Sequence, residues 1–212
     1  MEDAAGQGES CRNLIVYLGD YVDRGFNSRE VIEHLTKEPP EAFDRVLLLG
    51  NHDQWLRSFL NGEPVGDSWV RFGGDATLLS YGVTLALDQP DDVRLAAAQA
   101  MLASKLPDGH RALLDSLEPM VAMGDYLFVH AGIRPGVPLA KQAEHDLIWI
   151  REPFLGWSGE YGKIVVHGHT VEEEPVVRRN RIGIDTGACY NGNLTCLVLE
   201  GASHRFIATG QS

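Results

Sequence analysis

The octapeptide Leu18-Gly19-Asp20-Tyr21-Val22-Asp23-Arg24-Gly25 constrains this chain more than any other stretch. The run Leu14–Leu18 is short, rich in β-branched and aromatic residues, and stopped by glycine, so it reads as a buried strand. Glycine at a strand end permits a sharp turn and close backbone approach. Two carboxylates and a guanidinium are thereby delivered at the carboxyl end of a strand, where open α/β sheets bind ligands. The plain alternative is a polar strand-to-helix loop with Asp23 and Arg24 paired on the surface. Three later strand ends weigh against it. Val46–Leu49 runs into Gly50-Asn51-His52-Asp53, Tyr126–Val129 into His130-Ala131-Gly132, and Ile164–Val166 into His167-Gly168-His169-Thr170.

Between these ends the pattern alternates. Asn27-Ser28 is the cap for a helix over 29–36 with Val31, Ile32 and Leu35 on one face, ended by Pro39-Pro40. A second helix is expected over 54–60, a loop over 61–67, and Ala/Leu-rich helices over 90–105 and 109–117. Residues 181–184, 194–199 and 204–207 read as closely spaced strands joined by turns. The expected architecture is a single α/β domain over 1–212, helical in the middle and strand-rich in its C-terminal half.

At 212 residues and a formal net charge of −12, the chain is poorly suited to wrap a nucleic-acid backbone or lie on an anionic membrane. A local cation cluster or bound metal still permits a phosphorylated substrate. Cys11, Cys189 and Cys196 form no zinc-like spacing, and no apolar run approaches a membrane span, so a reducing cytoplasm is expected.

The strand ends supply Asp, Asn and His donors, an oxygen/nitrogen set without thiolate that suits manganese, iron or zinc better than a structural zinc cage. The segments GDYVDRG, GNHD, VHAG and HGHT resemble the motifs of the calcineurin-like metallophosphoesterases, within them the phosphoprotein phosphatase branch and its compact bacterial and phage lambda-type members. Leu147–Glu152, Ile184–Ala188 and Gly192–Thr195 support that narrower likeness. Asp53 departs from it, standing where the family usually has Glu. The resemblance implies a central β-sandwich flanked by helices. It further implies Asp20 as a carboxylate bridging two metals, with Asn51, His130 and His169 completing the second metal's ligands. His52 would be the general acid, oriented by Asp23, while Arg24 and Arg151 would hold phosphoryl oxygens. His167 is expected to stand aside, His34, His110, His145 and His204 to lie on the surface, and Glu172-Glu173-Glu174 to form a solvated face.

The family's Asp-x-His-Gly motif does not precede Asp20, and Met1–Ser10 resembles the end of the helix that follows it. The expectation is therefore a truncated N-terminus with the first strand missing, one complete metal set instead of two, weakened hydrolysis and lowered stability. The implied reaction is metal-dependent hydrolysis of phosphoserine or phosphothreonine in proteins, with manganese foremost. A symmetric dinucleoside tetraphosphatase or RNA cap hydrolase is the alternative, because Gly73-Gly74 and Thr77–Gly82 are similar to stretches there. A catalytically inactive phosphate-binding module is the non-enzymatic alternative.

Overall fold

The computed structural model describes residues 13–201 and 203–210. The expected N-terminal helix tail and Cys11 lie outside them. The architecture is mixed α/β with a central mixed sheet flanked by helices. Strand β1 (Asn13–Tyr17) pairs in parallel with β2 (Phe43–Leu47) across helix α1 (Ser28–Thr36). The central five-stranded sheet has the order β3 (Met120–Met123), β4 (Tyr126–Val129), β5 (Ile164–His167), β7 (Arg181–Gly183), β6 (Val176–Val177). Its middle pairs, β4–β5 and β5–β7, are parallel, and the outer ones antiparallel. A hairpin of β8 (Thr195–Glu200) and β9 (Ser203–Ala208) completes the strands.

Parallel pairing has a functional consequence. It points the carboxyl ends of β1 and β2 the same way, and likewise those of β4 and β5, so the polar tetrads gather at one end of each sheet. The two pieces meet where Leu49 N–H donates to Glu118 O and Glu118 N–H to Leu47 O. Leu14–Tyr17 are only half-buried, contrary to the expected buried strand. Among the described residues β1 has a strand partner on one side alone.

Helix α2 (Asn51–Leu60) begins three residues before its expected start. Gly50 caps it in an extended conformation, and the Asp53 side chain accepts the Gly50 N–H at 3.0 Å. After α3 (Gly66–Trp69), the chain runs through a wide turn over Val70–Gly74 into α4 (Asp75–Ser80). Helices α5 (Asp91–Lys105), α6 (Asp108–Asp115) and α7 (Glu144–Trp149) follow, and a short α8 (Ala188–Asn191) precedes the hairpin. Among the described residues no helix is long and apolar enough to cross a membrane.

One hydrophobic core joins these layers, with Ile32, Leu56, Trp69, Leu102, Leu114, Ile148 and Phe154 fully enclosed. Each such side chain contributes about 1.5–3 kcal/mol relative to exposure. The inner face of α1 is Ser28, Ile32 and Leu35. Val31, expected there, is 40% exposed because Ser28 turns inward to the Asp23 loop. His110 is also a correction. It is buried, with Nδ1 at 2.8 Å from the Tyr81 hydroxyl and Nε2 at 2.9 Å from Glu33, tying α6 to α1.

Candidate phosphoester site

Two glycines set the geometry of the first loops. A Cβ on Gly50 would lie 2.2 Å from Asp20 Oδ1, and one on Gly19 would lie 2.5 Å from Gly50 N. Only glycine lets the two strand ends approach this closely. Asp53, completely buried, locks them together. It accepts N–H donors from Asp20 at 2.7 Å, Gly50 at 3.0 Å and Tyr21 at 2.9 Å. Burial, then the Asp20 carboxylate, push Asp53 well above the usual carboxylate range, against the pull of those donors.

Asp20, Asp23, Arg24 and His169 all occupy left-handed backbone, with φ between 59° and 76°. Non-glycine residues rarely adopt it, and strain of this kind gathers at functional sites. Here it turns Asp20 and His169 toward His130, and Asp23 toward His52. Asp20, His130 and His169 present donor atoms within 4.8 Å of one another. His130 Nδ1 lies 2.7 Å from the Leu18 carbonyl and so carries the proton. Its Nε2 then faces Asn51 Oδ1 at 3.0 Å and Asp20 Oδ2 at 3.4 Å. His169 Nε2 is buried without a hydrogen-bond partner among the described residues.

Two oxygen and two imidazole nitrogen ligand atoms thus converge, a set that fits a divalent cation of the oxygen/nitrogen type. Burial, followed by His130 and Arg151, lowers His169 to about 3, leaving a neutral imidazole at neutral pH. Burial opposes the charge on Asp20. The neighbouring His130 and His52, with the hydrogen bond from the His52 N–H, outweigh it and hold the carboxyl below its usual range.

His52 sits in the first turn of α2, and its N–H donates to Asp20 Oδ1 at 3.1 Å. Its Nδ1 meets Asp23 Oδ2 at 2.6 Å. The Asp23 carboxylate also accepts from Trp69 Nε1 at 2.9 Å and Thr77 Oγ1 at 2.7 Å. Burial raises Asp23, while His52, Thr77 and Trp69 pull against that rise. Trp69 and Thr77 are site residues that the sequence reading missed. The signal lay in Gly73-Gly74. Gly74 leaves room for the Trp69 indole, and Gly73, at φ 112°, brings its carbonyl to the Arg24 N–H at 3.1 Å.

A Cβ on Gly74 would sit 2.4 Å from the Trp69 ring, although the backbone there suits alanine. Gly74→Ala is therefore expected to cost about 2 kcal/mol by overpacking. Urea denaturation measures it, and an unchanged midpoint would exclude the steric account.

Arg24 and Arg151 are exposed, and neither is in an ion pair among the described residues. Arg24 Nη1 lies 3.8 Å from Cys189 Sγ, with the guanidinium over the Tyr190 ring. Arg151 Nη2 reaches the His169 carbonyl at 3.5 Å. Both cations thus stand at the cleft's rim.

His167 does stand aside. It is buried edge-on against Phe154, its Nε2 is 3.3 Å from Arg181 Nη1, and burial lowers it to about 4. Glu172, Glu173 and Glu174 are exposed as expected.

The family model for calcineurin-like phosphoesterases matches residues 3–185. The asymmetrical bis(5'-nucleosyl)-tetraphosphatase PrpE of Anoxybacillus flavithermus is 27% identical, over 86% of this chain and 74% of its own length. Shewanella-like protein phosphatase 2 of Arabidopsis thaliana is 23% identical, over 73% of this chain and 45% of its own. Among solved structures, a cold-active protein-tyrosine phosphatase of a psychrophilic Shewanella superposes with a TM-score of 0.58 at 18% identity. It covers 93% of this chain and 66% of its own, a likeness of fold.

Proposed function

This chain belongs to the calcineurin-like phosphoesterase family, and on that premise we propose that it hydrolyses phosphoesters with His52 as proton donor to the leaving oxygen. One observation carries the reading: the buried 2.6 Å pairing of His52 Nδ1 with Asp23, next to the Asp20, His130 and His169 cluster. Asp23 fixes the ring's orientation through Nδ1, leaving Nε2 to serve the leaving group. Arg24 and Arg151 grip the phosphoryl oxygens through their planar forks, where phosphoryl transfer spreads its charge.

Asp20, Asn51, His130 and His169 would hold a divalent cation, manganese foremost, with iron or zinc as alternatives. Bound there, it supplies Lewis-acid stabilisation of the phosphoryl oxygens and acidifies the attacking water. The Leu18 carbonyl keeps the His130 Nε2 lone pair directed inward, and burial keeps His169 neutral, so both imidazoles are ready as donors.

For the leaving group, the first reading is a seryl or threonyl side chain of a phosphoprotein, supported by the Leu147–Glu152 segment and the plant phosphatase relative. The second is a nucleotide released from a dinucleoside tetraphosphate, favoured by the PrpE relatives. These are named for asymmetrical cleavage, whereas the motif resemblance suggested the symmetric enzyme. Side-by-side turnover of a phosphopeptide and diadenosine tetraphosphate separates the two, and inactivity on both would remove the hydrolase reading. Calorimetric titration with manganese is expected to show one tight site in the 212-residue chain, weakened at least about 10-fold in His169→Ala. Unchanged affinity in that variant would displace His169 from the donor set.

A further inference from the structure

A wall of aromatic rings joins the two histidines on opposite sides of the cleft. His52 meets Trp55 edge-on with ring centres 5.5 Å apart, Trp55 meets Trp149 at 4.8 Å, and Trp149 meets His169 at 6.0 Å. Phe72 extends the wall outward, stacked on Trp55 at 5.4 Å with 25° between the planes. It is 52% exposed, and Trp55 is its one ring partner among the described residues. The next residue, Gly73, holds the Arg24 backbone N–H at 3.1 Å, which ties the Phe72 segment to the loop that carries Arg24. The chain thus places a flat apolar surface one ring removed from the proposed leaving-group acid, on a segment bound to the loop of a phosphate-binding candidate.

We infer that Phe72, backed by Trp55, is a stacking surface for a nucleobase carried on the leaving side of the phosphoester. This rests on the nucleotide reading of the same site. A seryl or threonyl side chain offers no ring to stack. A tyrosyl ring joins directly to the leaving oxygen, which belongs at His52, whereas the open face of Phe72 lies beyond Trp55. In a released nucleotide at least one phosphate and a ribose stand between the leaving oxygen and the base, which sets the base beyond the acid rather than against it. Stacking tolerates any base, because every base has a π-face. The surface therefore selects for the presence of a base and leaves its identity open.

The experiment is equilibrium binding to the full chain with manganese, comparing adenosine 5'-monophosphate with ribose 5-phosphate, in wild type, Phe72→Ala and Phe72→Tyr. The nucleotide is expected to bind about 10-fold more tightly than the sugar phosphate. Phe72→Ala should erase most of that preference, and Phe72→Tyr should keep it. Equal affinities in wild type, no binding of either ligand, or a preference untouched by Phe72→Ala would each overturn the assignment. So would phenyl phosphate matching the nucleotide, which would give the surface to a directly attached ring. Turnover of glycerol phosphate reports separately on the parent reading. Hydrolysis without base preference removes the stacking surface alone, and base preference without hydrolysis removes the enzyme alone.

Discussion

Replacing His52 with alanine is expected to slow hydrolysis of an alkyl phosphoester by about 100- to 10,000-fold, and that of p-nitrophenyl phosphate much less. The difference between substrates is the informative part. An alkoxide cannot leave without a proton, whereas p-nitrophenolate is a resonance-stabilised anion that can. His52 Nδ1 is engaged by Asp23, and Asp23 is held in turn by Trp69 and Thr77, so the ring has one nitrogen left for the substrate. The alanine variant keeps the backbone N–H that donates to Asp20, so manganese binding should survive the substitution. Equal losses on both substrates would assign His52 to positioning instead. Weakened manganese binding would show that the variant disturbs the cluster.

Asp53→Ala should produce the largest loss of stability, at least about 3 kcal/mol. Its carboxylate receives three main-chain N–H groups from two different loops, and removing it orphans all three in a dry interior. The variant also leaves a void at a position with no solvent exposure. Asp53 contributes no donor atom to the metal cluster, yet it fixes the backbone that turns Asp20 inward. Manganese affinity should therefore fall together with stability. Urea denaturation and calorimetry measure the two effects, and a variant as stable as wild type would refute the tether. Asp53→Asn keeps the shape but sets an amide against backbone donors, so an intermediate loss is expected.

What could be read from the sequence followed from where chemistry-bearing residues stood relative to strand ends. The runs before Asp20, Asn51, His130 and His169 are short and apolar, and glycine or histidine interrupts each one. That pattern singled out Asp20, Asn51, His130 and His169, which the structure brings together. The partners of Asp23 were not legible. Trp69 and Thr77 lie 46 and 54 residues away, and an indole in a helical stretch reads as core.

The start of α2 was missed because no Ser, Thr, Asn or Asp precedes it. The cap is Gly50, and its signal is the acid three residues later. His110 was assigned to the surface because a lone histidine carries no periodic cue. Its burial depends on Tyr81 and Glu33 from other elements. Residues whose role depends on what the loops bring to them could be placed only in three dimensions.

Asp20 stands on the loop after β1 and Asn51 opens helix α2 just beyond β2, whereas His130 and His169 follow strands of the five-stranded sheet. Between those strands, the described main-chain hydrogen bonds run through Glu118 alone. An ion gripped from both sides would act as a rivet. It would recognise only the joined arrangement, so its occupancy and the chain's resistance to coming apart become one equilibrium. With free ion at 100 times its dissociation constant, that coupling amounts to about 2.7 kcal/mol. Metal supply in the surroundings would then set how long the protein persists as well as how fast it turns over.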